Sequence, residues 1–271
     1  RVRRVALPSV LESLQVGHSR SGESAFECGL PWLALEERLV SLRYQHRMHP
    51  EISAFPREAI YQGKNLHDPP GQAARRVFPY PGYRHRSLWI DVQGNEQDRQ
   101  GDEVIKNCNP QEVEVIRHEL ERLADWAASH PKPAEQPGPR PTPWSVAVLT
   151  FYRAQERLLR TALRALTGEH GQRQHFTLQR GARAALTIEL CTVDRFQGHE
   201  ADVVYLSLVR TRSIGFLRSP NRLNVALTRA RYQRVLVGHR AFFRGAHCRS
   251  ELLKALADTT PSERNYGEDQ P

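Results

Sequence analysis

Short apolar runs rich in β-branched residues recur along this chain and leave it few folds to choose from. "LVSLRY" at 39–44, "SLWIDV" at 87–92, "SVAVLT" at 145–150, "LTIELCT" at 186–192, "DVVYLSLV" at 202–209 and "RVLVGH" at 234–239 read as buried strands. Segments with helical spacing lie between several of them. The clearest are "PQEVEVIRHELERLADWAA" from Pro110 and "RAQERLLRTALRAL" from Arg153. The first carries proline in its opening turn, where a missing N–H costs no helical hydrogen bond. Strands alternating with helices predict an α/β fold with a mainly parallel central sheet covered on both faces. In such a sheet the ligand site is expected at the carboxyl ends of the strands.

The interruptions are as informative as the runs. "SHPKPAEQPGPRPTP", 129–143, has too much proline for helix or strand and predicts a flexible surface insertion. The polar stretch 168–181 predicts a second loop, and 259–271 a frayed, disordered tail. With no internal repeat, the expectation is one domain, 39–258. The sole methionine is Met48 and the chain opens Arg-Val-Arg-Arg, so translation is expected to have begun upstream.

Hydrophobic residues make up 39% of the chain, enough for a sizeable core, and no run of about 18 apolar residues would span a membrane. Cys28, Cys108, Cys191 and Cys248 lie too far apart to suggest a zinc site or a disulfide framework. No metal site and a reduced, intracellular setting are therefore expected. A formal charge of +9 favours an anionic partner, of which nucleic acid is the usual one. Only four residues are lysine, so the charge is nearly all arginine, which suits bidentate phosphate recognition but equally follows from a GC-rich, bacterial-type coding sequence.

Four segments concentrate polar groups beside the predicted strands. In "LRYQHRMHP", 42–50, Arg47 would follow a strand, at its carboxyl end, just before a helix that starts at proline; alone it reads as a surface arginine. In "LCTVDRFQGHEADVVYLSLVRT", 190–211, Asp194, Arg195, Gln197, Gly198 and Glu200 occupy a loop between two apolar strands. Polar groups on a loop held by rigid strands are a functional hint. In "VAVLTFYRAQ", 146–155, Thr150 closes a strand and Tyr152 sits in the turn before a helix, so the hydroxyl either contacts a phosphate or helps to cap that helix. In "NRLNVALTRARYQRVLVGH", 221–239, Leu223, Leu227 and Ala230 share an apolar helical face while Arg222 and Arg229 project elsewhere. An arginine at a helix carboxyl end also complements the dipole.

Taken in order, Gln-x-Arg-Met-His-Pro, Thr-Val-Asp-x-Phe-Gln-Gly-x-Glu and Leu-Asn-Val-Ala-Leu-Thr-Arg-Ala-Arg closely resemble helicase motifs IV, V and VI of the Upf1-like branch of superfamily I DNA/RNA helicases. The resemblance covers roughly 39–243. It implies the second of two RecA-like domains, a three-layer fold of the P-loop NTPase type, with ATP bound between the two. By that resemblance Arg47 and Arg229 approach the γ-phosphate as arginine fingers. Glu200 would accept a hydrogen bond from the ribose and Gly198 would let the loop pass close to the nucleotide, with Gln197 beside them. His46 stands where many relatives carry a tyrosine near the adenine. Thr150, Thr192 and Tyr152 match positions near the nucleic-acid backbone, and Arg195 is a further phosphate candidate from its charge alone. Asp194 would order the motif V loop, and Arg231 would hold motif VI in a structural role.

The sequence has no Gly-x-x-x-x-Gly-Lys-Ser/Thr loop and no acidic pair after a strand to hold magnesium. The resemblance assigns both, and with them most of the hold on Mg2+, to an upstream RecA-like domain of the same protein, to which 1–38 would link. The chain alone is expected to lack ATPase activity. Within the longer protein it would be the motor half of an ATP-dependent helicase or translocase, moving 5′ to 3′ on single-stranded DNA or RNA. The alternative is a degenerate helicase-like module that grips nucleic acid without turnover.

Overall fold

The computed structural model describes residues 43–266 except 63–65, 95–96, 101–102, 134–141 and 171–173. Apart from Arg43, these belong to the compact unit Tyr44–Pro271. The linking segment 1–38 and most of the strand expected at 39–44 lie outside the described residues. In chain order the elements are α1 (Pro50–Phe55, continued by a π-helical turn Pro56–Ile60), α2 (Gln72–Arg75), β1 (Ser87–Val92), β2 (Gln97–Gln100), β3 (Glu103–Lys106), α3 (Pro110–Ala127), β4 (Trp144–Thr150) and α4 (Arg153–Thr167). There follow β5 (His175–Arg180), β6 (Arg183–Thr192), β7 (Ala201–Ser207), a 3-10 turn Gly215–Arg218, α5 (Pro220–Leu227), β8 (Ala230–Gly238), α6 (Arg240–Arg244), α7 (Glu251–Thr259) and β9 (Ser262–Tyr266).

Seven strands form one sheet in the order β5-β6-β4-β7-β8-β1-β9, parallel except for the antiparallel β5–β6 pair. Successive side chains go to opposite faces, and both faces are apolar. Leu88, Ile90, Val146, Val148, Val203, Tyr205, Val235 and Val237 meet Val113, Ile116 and Leu120 of α3 and Leu159 and Leu163 of α4. Trp89, Ala147, Leu149, Val204, Leu206 and Leu236 meet Ile52 of α1, Leu223 and Leu227 of α5, Phe243 of α6 and Leu253 and Leu256 of α7. Two helical layers on one sheet are what continuous apolar strands require, since neither face can be left to water. The helix ends follow local chemistry. The Asn109 side chain accepts from the N–H groups of Gln111 and Glu112 to cap α3, and Gly168 at φ +69° closes α4.

Several expectations need correction. The polar stretch 168–181 contains a strand, β5, whose Phe176 and Leu178 are buried while the residues between stay more open. That period-2 pattern, turned back at Gly181 (φ +60°), makes a hairpin with β6. The tail is not frayed at its start: α7 runs to Thr259 and β9 adds a parallel edge strand to β1, with Trp89 N–H donating to Pro261 O at 2.7 Å. The middle of the insertion expected at 129–143 lies outside the described residues, and its two ends are joined. Lys132 and Thr142 form an antiparallel bridge, Trp144 Nε1 donates to His130 O at 2.8 Å, and the His130 ring stacks on Trp126. At the other end of the chain, Tyr44 forms an isolated bridge to His67 and takes no part in the sheet. No helix among the described residues is long and apolar enough to cross a membrane.

Candidate nucleotide and nucleic-acid site

The motif residues separate between the two ends of the sheet. Among the described residues no strand leads into Arg47. Arg47 precedes α1 and reaches the amino ends of β7 and β8, where its Nε donates to Glu200 Oε2 at 2.6 Å and its Nη1 to Thr228 O at 3.1 Å. Glu200 stands immediately before β7, and Arg229 immediately before β8. The strand β8 begins earlier than its apolar run suggests, at Ala230, so Arg231 is on the strand itself. Its Nε lies 3.7 Å from Glu200 Oε1 and its Nη1 3.7 Å from Asp202 Oδ1. A backbone hydrogen bond from His49 N–H to Arg231 O, 2.9 Å, ties the segment before α1 to this strand.

Arg229 is held by its neighbours. Nε donates to Val225 O (2.9 Å), Nη2 to Thr228 Oγ1 (3.2 Å) and Nη1 to His199 O (3.3 Å). It does complement the end of α5, since Val225 lies in that helix's last turn. Burial, and then the nearby charge of Arg47, lower its pKa below the ordinary arginine value. Two guanidinium groups are thus held close enough to repel, with Glu200 between Arg47 and Arg231. Asp202, fully buried, is already engaged by Lys132 Nζ (2.9 Å) and Ser145 N–H (2.9 Å). Such a cluster suits a multiply charged anion such as a polyphosphate. His46 is exposed, and its carbonyl accepts from Gln72 Nε2 and Arg76 Nη2, both at 2.8 Å. Gln197 and Gly198 are exposed too. Gly198 sits at φ +92°, and a Cβ there would meet nothing within 4 Å, so the glycine serves backbone conformation and not a close contact inside the chain. Among the described residues no three His, Cys, Asp or Glu side chains gather as a cluster that could hold a metal ion.

The opposite end carries the other set. Thr150 and Thr192 are paired at the carboxyl ends of β4 and β6. Thr150 is wholly buried and Thr192 nearly so. Thr150 Oγ1 accepts from Tyr152 N–H at 3.4 Å, and the Tyr152 ring is buried. Of these four residues only Arg195 is exposed, 3.5 Å from Glu156. Asp194 pairs with Arg222 Nε at 3.0 Å, linking the motif V loop to α5. The loop itself joins the two ends. β6 and β7 flank β4 and both run parallel to it, so residues 193–200 must travel back from the carboxyl end of β6 to the amino end of β7. Arg195 starts that path and Glu200 ends it.

Sequence reasoning missed two buried groups. Glu112 of α3 is fully buried, accepting from Ser207 Oγ (2.6 Å), from Val209 N–H (2.9 and 3.0 Å to its two oxygens) and from Asn109 Nδ2 (3.3 Å). Gln155 completes the network by donating to Ser207 Oγ and Asn109 O. Burial pushes Glu112 up to about 8, against the pull of those hydrogen bonds. It fastens the turn after β7, where Val209 adopts φ +69°, a strained value for a β-branched residue. The second group is Arg234, with 1% of its surface exposed, which donates to Ser87 Oγ, to Ile52 O of α1 (3.3 Å) and to Leu227 O of α5 (2.9 Å). Glu112 had a signal, a carboxylate on the apolar face of a helical repeat. Arg234 had a weaker one, a charge opening an apolar strand run.

A three-layer domain with a mainly parallel sheet and an arginine cluster at the strand amino ends is RecA-like. Residues 23–241 match a family described as AAA domain, and the chain belongs to that family, the C-terminal region of the Upf1-like helicases. The chain is 29% identical over 80% of its length to DNA polymerase alpha-associated DNA helicase A of Saccharomyces cerevisiae. It is 30% identical over 76% to the regulator of nonsense transcripts 1 homolog of Drosophila melanogaster, and 32% identical over 73% to helicase sen1 of Schizosaccharomyces pombe. It spans 30%, 16% and 10% of those relatives' lengths respectively. These relatives are eukaryotic and lend the bacterial-source expectation no support. The C-terminal domain of a possible DNA helicase from a Lactobacillus superposes with a TM-score of 0.43 at 17% identity, over 81% of this chain and 98% of that one. The chain is a helicase-type domain.

Proposed function

We propose that this domain is one half of an ATP-driven motor on single-stranded DNA or RNA, moving 5′ to 3′, with ATP and its Mg2+ bound between it and a second RecA-like domain that supplies the phosphate loop. The observation that carries this reading is the Arg47–Glu200–Arg229–Arg231 cluster, joined by the 193–200 connection to the carboxyl end of the sheet. Arg47 and Arg229 stabilise charge on the transferred phosphoryl group, and Arg231 holds the cluster together. His46, Gln197, Gly198 and Glu200 face the nucleoside. Thr150, Tyr152, Thr192 and Arg195 form the strand side, the two threonines and Tyr152 as its framework and Arg195 as a phosphate contact. Closing the cleft on ATP shifts one end of the 193–200 connection and carries the other along the strand.

The test is ATP hydrolysis by a longer polypeptide that joins this chain to a domain with an intact phosphate loop, with and without single-stranded DNA or RNA. Stimulated turnover there and none from the 271 residues alone is the expected result. Strand binding without turnover, in the presence of magnesium and ATP, would leave a binding module in place of a motor.

A further inference from the structure

Phe216 is held out in solvent by a rigid support. It lies on the 3-10 turn Gly215–Arg218 with 55% of its surface exposed, while its neighbour Leu217 is 1% exposed. Beneath it, the buried Tyr152 accepts from Phe216 N–H at 3.2 Å, and the two rings lie 5.5 Å apart at 33°. Gly215 permits that seating: at φ +48°, a Cβ there would lie 2.5 Å from Tyr152 Oη and 3.3 Å from the Arg210 guanidinium carbon. Arg210 in turn faces the Tyr152 ring at 5.5 Å. The space Phe216 would need to turn inward is therefore already filled, and a large apolar ring stays in water on an ordered turn.

Its surroundings are basic. Arg222, tethered to Asp194, places its guanidinium 5.3 Å from the Phe216 ring centre. Arg212 and Arg218 are exposed within a few residues of Phe216 in the chain, and the exposed Arg153 directly follows Tyr152. Among the described residues, Phe216 is the only large hydrophobic side chain left exposed between Tyr152 and Tyr266. A protein partner would require a contiguous apolar patch. A nucleobase requires one open ring, with cations beside it for the flanking phosphates.

We propose that Phe216 is a stacking platform for one base of a single-stranded nucleic acid, with Arg222 neutralising the adjacent phosphate. This rests on the nucleic-acid reading above and adds to it a base contact that no motif residue supplies, Tyr152 being buried. Stacking on a ring is tolerant of base identity, so the contact grips any sequence.

The experiment measures binding of a fluorescent oligothymidylate and of an abasic strand of the same length, across a salt series. Phe216→Ala is expected to weaken oligothymidylate binding by roughly 5- to 150-fold. It should leave the salt slope unchanged, because no phosphate contact is lost, whereas Arg222→Ala should reduce the slope by about one. The abasic strand should bind the unaltered chain and Phe216→Ala alike, and Phe216→Trp should restore the thymidylate preference. Because the ring is exposed, circular dichroism and thermal midpoint should match between the variants. Binding that Phe216→Ala leaves unchanged, or weakens equally for both strands, overturns the platform alone. No binding by the unaltered chain removes the nucleic-acid reading and this inference with it.

Discussion

Arg47 and Glu200 meet at 2.6 Å although 153 positions separate them in the sequence, and this one contact joins the segment before α1 to the amino end of β7. Glu200 also faces Arg231 with its other oxygen, so a single carboxylate serves two arginines. Arg47 is 30% exposed and Glu200 42%, so water screens the pair. Glu200→Gln should therefore cost under about 1 kcal/mol in urea unfolding. Its larger effect should be on anions. In an ATPase-competent polypeptide the loss of this counter-ion should tighten inorganic triphosphate several-fold, and tighten ATP less, because a neutral amide oxygen accepts from the ribose hydroxyl more weakly than the carboxylate does. Equal tightening of both would remove the ribose assignment.

Arg229 does two jobs that substitution can separate. It complements the end of α5 through Val225 O, and its charge is repelled by that of Arg47 more strongly than it is attracted by Glu200. Arg229→Ala should lower ATP turnover by about a thousandfold or more if it acts as a finger, while losing only about 0.3–1 kcal/mol of stability from the helix end. Arg229→Lys keeps the helix-end charge but not the planar fork, so stability should return and turnover should not. Strand affinity should change less than about threefold in both, since the residue lies at the far end of the sheet. Full turnover by Arg229→Ala would leave the helix-end role as the whole explanation.

The strands were legible because both of their faces are buried, which writes an apolar run straight into the sequence. β5 was not, because an edge strand is half-buried and its alternate polar residues, Thr177 and Gln179, look like loop. β9 was hidden for a related reason: "SERNY" contributes backbone pairing to β1, and pairing leaves no mark in composition. The site divides in the same way. Arg47, Glu200 and Arg229 stood out through their motifs, but which end of the sheet they occupy depends on strand order, which periodicity does not carry. Phe216 was quoted in no motif, because exposure is a tertiary property.

Arg234 tests how the two motif arginines are held in register. Its buried guanidinium bonds the carbonyl of Ile52 in α1 and that of Leu227 in α5, the helices that follow Arg47 and precede Arg229. Arg234→Ala leaves those carbonyls without their donor and opens a cavity, and should cost about 3–5 kcal/mol in urea unfolding. Arg234→Met fills most of the volume and should cost about 1–3 kcal/mol, the hydrogen-bond share alone. If the two variants prove equally unstable, packing contributes nothing and the bonds carry the whole effect.

Glu112 gives the domain a pH dependence whose sign follows from burial. Its folded pKa, about 8, lies above the ordinary 4.5. Between those values the unfolded chain has released the proton and the folded chain still binds it. Stability therefore falls as pH rises through that window and levels off above it, by a total on the order of 5 kcal/mol. Glu112→Gln mimics the protonated acid and cannot titrate. The two proteins should be about equally stable near pH 4.5, and the variant should gain on the unaltered chain up to pH 8, as read from urea midpoints at each pH. A constant gap would mean that Ser207, Val209 and Asn109 donate strongly enough to keep the carboxylate ionised. The same network fixes the turn that leads from Val209 to Arg210 and Tyr152, so strand binding should weaken over the same pH range in the unaltered chain and stay level in Glu112→Gln.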